Sequence, residues 1–243
     1  MSVSLPITRG AKVVVLTGAG ISAESGIRTF RDANGLWEEH RVEDVASPEG
    51  WQRDPALVWR FYSERRAQAL MVVPNPAHRA LAALEAHLGD DLLLVTQNVD
   101  ALHEASGSTR VLHMHGELMK SRCEDPACPV GAFADTRTYF DALPRCACGA
   151  GVRPHIVWFG EVPFEMHTIK RAVQACDWFV TVGSSGAVYP AAGLVGEVTD
   201  RQSMGEHVRS VYVGLEAPAN AQSFDRVILG KAGDVLPTLF ALG

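Results

Sequence analysis

Apolar and polar positions along the chain follow two rhythms. Lys12–Leu16, Leu92–Thr96, His155–Trp158, Trp178–Val182, Arg209–Val213 and Arg226–Leu229 are short runs dominated by apolar, often β-branched side chains. Continuous runs of this kind fit strands buried on both faces. Between them the spacing turns helical. Pro55–Leu70 places Leu57, Val58, Phe61 and Leu70 among Arg60, Glu64 and Arg65, and Pro76–Leu88 is amphipathic with a proline suited to its first turn. Pro163–Cys176 and Val188–Val198 are two further predicted helices. Buried strands alternating with helices predict an α/β fold built on a doubly wound, mostly parallel sheet. Residues 119–153, rich in Cys, Pro, Gly and Ala, break the rhythm and predict a small insert. The expected division is 1–118 with 154–243 for the sheet domain, a helical subdomain near 32–75 within it, and 119–153 for the insert.

Composition narrows the function classes. The 243 residues are 47% hydrophobic and 21% charged, ordinary for a globular chain long enough to bury a sizeable core. No apolar run approaches the roughly 18–20 residues of a membrane span. Met1–Gly10 lacks the basic start and apolar stretch of a secretory signal. A cytoplasmic monomer with no membrane partner is expected. The net charge of −6 and the absence of a basic stripe argue against a nucleic-acid partner, sequence-specific or otherwise.

The five cysteines change the picture of the insert. Cys123-x4-Cys128 and Cys146-x-Cys148 are two close pairs, and in a cytoplasmic chain such pairs read as metal ligands before disulfides. Four thiolates suit one tetrahedral Zn²⁺ with no open position, a structural site. Unligated cysteines are the other reading. Cys176 lies apart, in a predicted helix.

Four segments carry candidate chemistry. Thr17–Gly26 follows the first strand, and Gly18 and Gly20 would let backbone N–H groups approach a phosphate, with Ala23 where the dinucleotide fingerprint has its third glycine. A tight turn with no ligand is equally consistent with this stretch alone. Thr96-Gln97-Asn98-Val99-Asp100 ends a parallel strand, where ligands bind in this architecture, although Asn98 or Asp100 could simply cap a helix. His113-Met114-His115-Gly116-Glu117 offers a base, a metal pair or two packing residues. Gly183-Ser184-Ser185-Gly186 is a further strand–turn–helix junction.

Taken in order, these segments resemble the sirtuin family. Gly18-Ala19-Gly20-Ile-Ser-Ala-Glu24-Ser-Gly-Ile27-Arg-Thr-Phe30-Arg31 is similar to the sirtuin NAD loop, with Arg28 where many members have Pro. The resemblance spans Lys12 to about Pro237. It implies a Rossmann-like doubly wound sheet with a small zinc-binding insert domain, NAD as cofactor, and acyl-lysine proteins as partners bound as an added strand. Gln97 and Asn98 would hold the nicotinamide ribose, and Asp100 with the Ile27 backbone would read the carboxamide. His115, the histidine immediately before glycine, would be the base, with Asn98 and Asp100 positioning the reactants. Gly183, Ser184 (for the usual Thr) and Ser185 would contact the phosphate and ribose side. Gly214-Leu215-Glu216 stands where many sirtuins read Asn-Leu-Glu, and the segment Gly230–Asp234 resembles the turn that closes over adenine, with Ala232 the contact. Val157-Trp158-Phe159-Gly160-Glu161 resembles the acyl-lysine and peptide segment, which would clamp substrate with the loop around Val188. The implied products are free lysine, nicotinamide and O-acyl-ADP-ribose.

Tyr62 and Arg65, three residues apart on one helix face, match the class III sirtuins that favour succinyl- and malonyl-lysine, with Ala46 widening the acyl channel. From the pattern alone they form a solvated helix face. An NAD-dependent ADP-ribosyltransferase and a non-catalytic NAD or ADP-ribose sensor are the alternative functions.

Overall fold

The computed structural model describes residues 4–27, 36–37 and 40–241. The chain opens with β1 (Val13–Thr17) and turns at once into the short helix α1 (Ala19–Ala23). A two-residue pairing of β2 (Leu36–Trp37) with β3 (His40–Arg41) precedes α2 (Val42–Val45), α3 (Pro48–Arg53) and α4 (Pro55–Ala69). Helix α5 (Pro76–Leu88) leads to β4 (Leu92–Thr96), and α6 (Leu102–Ala105) to β5 (Val111–His113). Strands β6 (Gly116–Cys123), β7 (Ala132–Ala134) and β8 (Val152–Ile156) form a sheet of their own. The chain then runs through α7 (Met166–Val173), β9 (Trp178–Val182), α8 (Leu194–Ser203), β10 (Arg209–Gly214), β11 (Arg226–Leu229) and α9 (Ala232–Leu239).

The main sheet is parallel throughout, in the order β11-β10-β9-β1-β4-β5. Successive side chains on each strand serve opposite faces. Val13, Val15, Leu94, Val180 and Val182 pack under α5 and α9, whereas Val14, Leu16, Val95 and Phe179 pack under α7 and α8. Covering on both faces explains the unbroken apolar runs in the sequence. Three of the helices start on the same local device, a polar cap followed by proline. Ser47, Asp54 and Asn75 each accept backbone N–H groups through the side chain, with Pro48, Pro55 and Pro76 in the first turn. Each cap stabilises its helix by about 1 kcal/mol.

A third core joins α2–α4 to the antiparallel sheet β7-β6-β8 through Trp59, Phe61, Tyr62, Leu118, Ile156 and Trp158. Arg66 sits at its edge with a fully buried side chain. It donates to the carbonyls of Leu118, Lys120 and Arg137 and lies 3.5 Å from Asp135. A buried guanidinium saturated in this way ties α4 to the second sheet.

The structure corrects several expectations. The strand expected at His155–Trp158 is Val152–Ile156, and it pairs antiparallel with β6 rather than joining the parallel sheet. The second sheet therefore reaches past both ends of the expected insert, from Gly116 to Ile156. The helix expected from Val188 begins only at Leu194, after a 3₁₀ turn at Ala191–Gly193. The helix expected over Pro163–Cys176 is confined to Met166–Val173, because Glu165 enters it in a left-handed conformation. The turn at Gly230–Lys231 leads straight into α9 at Ala232, a helix whose pattern is masked in the sequence by an internal Pro237. Tyr62 and Arg65 do not form a solvated face. Tyr62 is fully buried and the Arg65 side chain is 11% exposed.

Candidate active site

The strand order reverses at β1: β4 and β5 lie to one side, β9 to β11 to the other. A crevice at the carboxyl ends of the strands follows from this reversal. A cavity of about 720 Å³ fills it, within the roughly 300–1,000 Å³ of small-molecule sites. Its walls come from the turn after β1, the Gln97–Asp100 segment after β4, His115, the Gly183–Ser185 turn after β9, and Gly214 after β10. Ile27, Ala232, Ala46, Tyr62, Val188 and the stretch from Ile156 to Glu161 complete it.

The glycines serve loop–loop contact before anything else. Gly18 N–H donates to Val182 O and Gly20 N–H to Gly183 O, both at 2.9 Å. A Cβ on Gly20 would stand 2.8 Å from the Gly183 backbone. Gly183 has φ +63°, and a Cβ there would meet Ile21 N at 2.5 Å. The Gly18 and Gly20 amides themselves are bonded to the neighbouring strand and turn, and both residues still line the cavity.

A polar network floors the cavity. Asn98 Nδ2 donates to Gly18 O (3.2 Å) and to Ser22 Oγ (2.9 Å), and Ser22 Oγ donates to Asp100 Oδ2 (3.0 Å). Asp100 Oδ1 accepts from Leu102 N–H (3.1 Å), although the N-cap position of α6 itself falls on Ala101. Burial pushes the Asp100 carboxyl above its ordinary value. Sequence reasoning missed Ser22. Its only signal is a hydroxyl within the glycine-rich turn.

His115 is held in one tautomer. Its Nδ1 lies 3.1 Å from the Gln97 carbonyl, which can only accept, so Nδ1 carries the hydrogen and Nε2 the lone pair. Burial lowers its pKa, partly opposed by that bond. His113 has the opposite character. Both its nitrogens face oxygens, Asn98 O at 3.1 Å and Glu104 Oε1 at 2.7 Å. Burial opposes its charge, but the Glu104 carboxylate, the Asn98 carbonyl and Glu117 together raise the pKa. Gln97 Nε2 donates to Ser184 Oγ (2.9 Å), linking the β4 and β9 turns.

The other bank is mainly apolar. Phe159 N–H donates to Ala46 O (3.0 Å), and Val157 N–H to His115 O (2.9 Å). Tyr62 Oη accepts from Trp158 Nε1–H (3.0 Å). Glu161 accepts from Arg153 (2.7 Å) and from Trp158 N–H (2.8 Å), so its carboxylate braces this loop. Two expected contacts stand apart from the described wall. Glu24 Oε1 accepts from Gly233 N–H (3.1 Å) and anchors α9, and the Arg65 guanidinium lies 4.7 Å over the Phe61 ring. Phe30 and Arg31 lie outside the described residues.

Below the floor, Thr17 Oγ1 joins Thr96 Oγ1 (2.8 Å) to His103 Nε2 (3.0 Å), and the His103 ring meets that of His78 edge-on. Burial, then neighbouring charge, pushes His78 down to about 4 and His103 to about 3; His155 falls to about 4 for the same reason. All three bind protons in the unfolded chain first, near 6.5. Their contribution is present above that value and lost as pH falls from 6.5 toward 4. The expected result is a loss of roughly 2 kcal/mol for each of His78 and His103 between pH 7 and pH 5, and less for His155, whose partial exposure screens it. Urea midpoints across that range check it; a flat profile rejects it. His113, with its raised pKa, contributes with the opposite sign, losing stability as pH rises.

Away from the cavity, the sulfurs of Cys123, Cys128, Cys146 and Cys148 all lie within 4.8 Å of one another. Cys123–Cys148 and Cys128–Cys146 separations are 3.5 and 3.7 Å. A disulfide needs about 2.05 Å. A tetrahedron of sulfurs about 2.3 Å from a zinc ion has edges near 3.8 Å. The donor set therefore fits zinc.

A Sir2 family model matches residues 18–190. A protein of Pasteurella multocida named NAD-dependent protein deacylase is 49% identical over 97% of this chain and 99% of its own length. One of the same name from Yersinia pseudotuberculosis is 54% identical over 93% of this chain and 80% of its own. Among solved structures, an ADP-ribose complex of a mutant Sir2 homologue superposes with TM-score 0.85 at 36% identity, covering 96% of this chain and 92% of that one. A Sir2 homologue–NAD complex gives 0.84 at 37% identity, covering 96% and 89%. Matched from its glycine-rich turn to the loop before α8, and about half identical to relatives along nearly its whole length, the chain belongs to the Sir2 family.

Proposed function

We propose that this protein is an NAD-dependent protein-lysine deacylase that accepts acidic acyl groups. The observation that carries the reading is His115, fixed as the Nε2-basic tautomer on the wall of a cavity that also holds Asn98, Asp100 and Gln97. NAD would supply the ADP-ribose that accepts the acyl group, with nicotinamide as the leaving group. Gln97 and Asn98 would hold its nicotinamide ribose and Asp100, with the Ile27 backbone, its carboxamide, with Gly183, Ser184, Ser185 and Ala232 toward the nucleotide end. Nε2 of His115 takes a proton from a ribose hydroxyl. The apolar bank of Ala46, Val157, Phe159 and Val188 excludes water from the acyl-lysine stem, and the backbone at Gly160 and Glu161 takes the peptide as an added strand. A Sir2 complex with a deacetylated p53 peptide and 3′-O-acetyl ADP-ribose, 25% identical at TM-score 0.77, is consistent with this substrate class. The four cysteines would hold one zinc ion that braces the second sheet and takes no part in the chemistry.

The acidic-acyl preference is supported by Tyr62, a lining residue of the cavity whose buried hydroxyl accepts from Trp158 Nε1–H. Burial raises its pKa, so it stays a neutral phenol. Arg65 is one turn on along the same helix, and a charge-assisted bond from it to an acyl carboxylate contributes about 1.5–3 kcal/mol. Arg65→Met is therefore expected to lower kcat/KM for a succinyl-lysine peptide by about 10- to 100-fold and to leave the acetyl-lysine peptide within a few-fold. Equal losses on both, or none, reject the preference while leaving the deacylase reading intact. Nicotinamide release with neither peptide rejects the deacylase reading itself.

A further inference from the structure

Residue 214 is glycine for a reason that its backbone does not supply. Its φ lies outside the left-handed region, where glycine is favoured, so any L residue could adopt it. The obstacle is space. A Cβ at Gly214 would lie 2.3 Å from Tyr212 Oη and 2.8 Å from Tyr212 Cζ. On β10, Val211 and Val213 belong to the core under α5 and α9, so Tyr212 and Gly214 share the opposite face. The phenol runs along its own strand, crosses the bare Cα of Gly214, and reaches the carboxyl edge of the sheet. There its hydroxyl donates to the Ser184 carbonyl at 3.0 Å. Tyr212, Ser184 and Gly214 all line the cavity.

The bond continues into the site. The Ser184 hydroxyl accepts from Gln97 Nε2, and the Gln97 carbonyl accepts from His115 Nδ1. We infer that Tyr212 is a positioning residue of the nucleotide end of the cavity. It pins the Gly183–Ser185 turn through the Ser184 carbonyl and occupies the space that a side chain at 214 would otherwise take. Gly214 is the vacancy that admits it. This inference rests on the NAD reading proposed above.

The test uses the full-length protein and ADP-ribose as probe, with affinity by calorimetry and acetyl-lysine peptide affinity as the control. Tyr212→Phe keeps the ring and removes one hydrogen bond, so ADP-ribose should bind about 5- to 10-fold more weakly, with peptide affinity within about twofold of the parent. Gly214→Ala should weaken ADP-ribose by at least as much, because its Cβ displaces the phenol. In a Tyr212→Val background, Gly214→Ala should cost nothing further, and that rescue separates a shared space from general damage. Tyr212→Phe that binds ADP-ribose like the parent, or that weakens peptide and ADP-ribose alike, overturns the positioning role. Additive losses in the double variant overturn the steric pairing. A parent protein that does not bind ADP-ribose overturns the cofactor reading, and this inference with it.

Discussion

His115→Ala is expected to lower deacylation of an acyl-lysine peptide by about 10²- to 10⁴-fold, the range for removal of a positioned general base. ADP-ribose affinity should stay near that of the parent, because the polar contacts among Asn98, Ser22 and Asp100 do not pass through the imidazole. The pH profile supplies a second check. Catalysis needs the neutral ring, and burial lowers the His115 pKa below its ordinary value. The neutral form therefore dominates at pH 7 and is lost only as pH falls through the depressed pKa. The acid limb of kcat/KM should lie below about 6.5. Undiminished turnover in the alanine variant removes His115 from the chemistry. An acid limb centred above 6.5 contradicts the buried tautomer.

Metal removal should have the other large effect. Zinc bound to four thiolates contributes on the order of 10 kcal/mol to small domains that depend on it. Here the four clustered cysteines lie at the end of β6 and on the two loops that follow. β6 begins one residue after His115, and β8 runs directly into Val157–Glu161. Cys128→Ser, or prolonged chelation, is therefore expected to lower the thermal midpoint sharply and to abolish turnover, while the purified parent carries about one zinc per chain by elemental analysis. The buried Arg66–Asp135 pair makes the loss propagate, since α4 carries both Arg66 and Tyr62. A metal-free protein that keeps its midpoint and activity would show that the second sheet holds its shape through Arg66 and the Trp59 core alone.

The comparison between sequence and fold divides along a physical line. Local chemistry was legible. The central strands Leu92–Thr96 and Trp178–Val182 match their expected bounds, because burial on both faces leaves no polar alternative in the run, and the partly exposed edge strand Arg226–Leu229 matches as well. Pro76–Leu88 was equally clear, because cap, proline and apolar stripe agree. The wall residues of the cavity were mostly legible too, since they follow strands at a fixed place in this architecture.

What failed depended on partners distant in the chain. The strand ending at Ile156 looks like any apolar run, and only pairing with β6 turns it antiparallel. Tyr62 and Arg65 look solvent-facing until the second sheet covers α4. Ser22 carries no signal until Asn98 and Asp100, more than seventy residues on, close around its hydroxyl. The glycines at 18 and 20 announce a close approach, but the sequence does not say that it is to the Val182–Gly183 backbone. By itself the sequence determines the parallel strands β1, β4, β9, β10 and β11 and the two close cysteine pairs, but not β5, β6 or β7, whose short or mixed runs become strands only through their partners. The tertiary structure alone decided that the Gly18 and Gly20 amides are spent on the neighbouring strand and turn and that Gly214 makes room for a phenol. Such distances are set by elements that meet in space, and no local pattern encodes them.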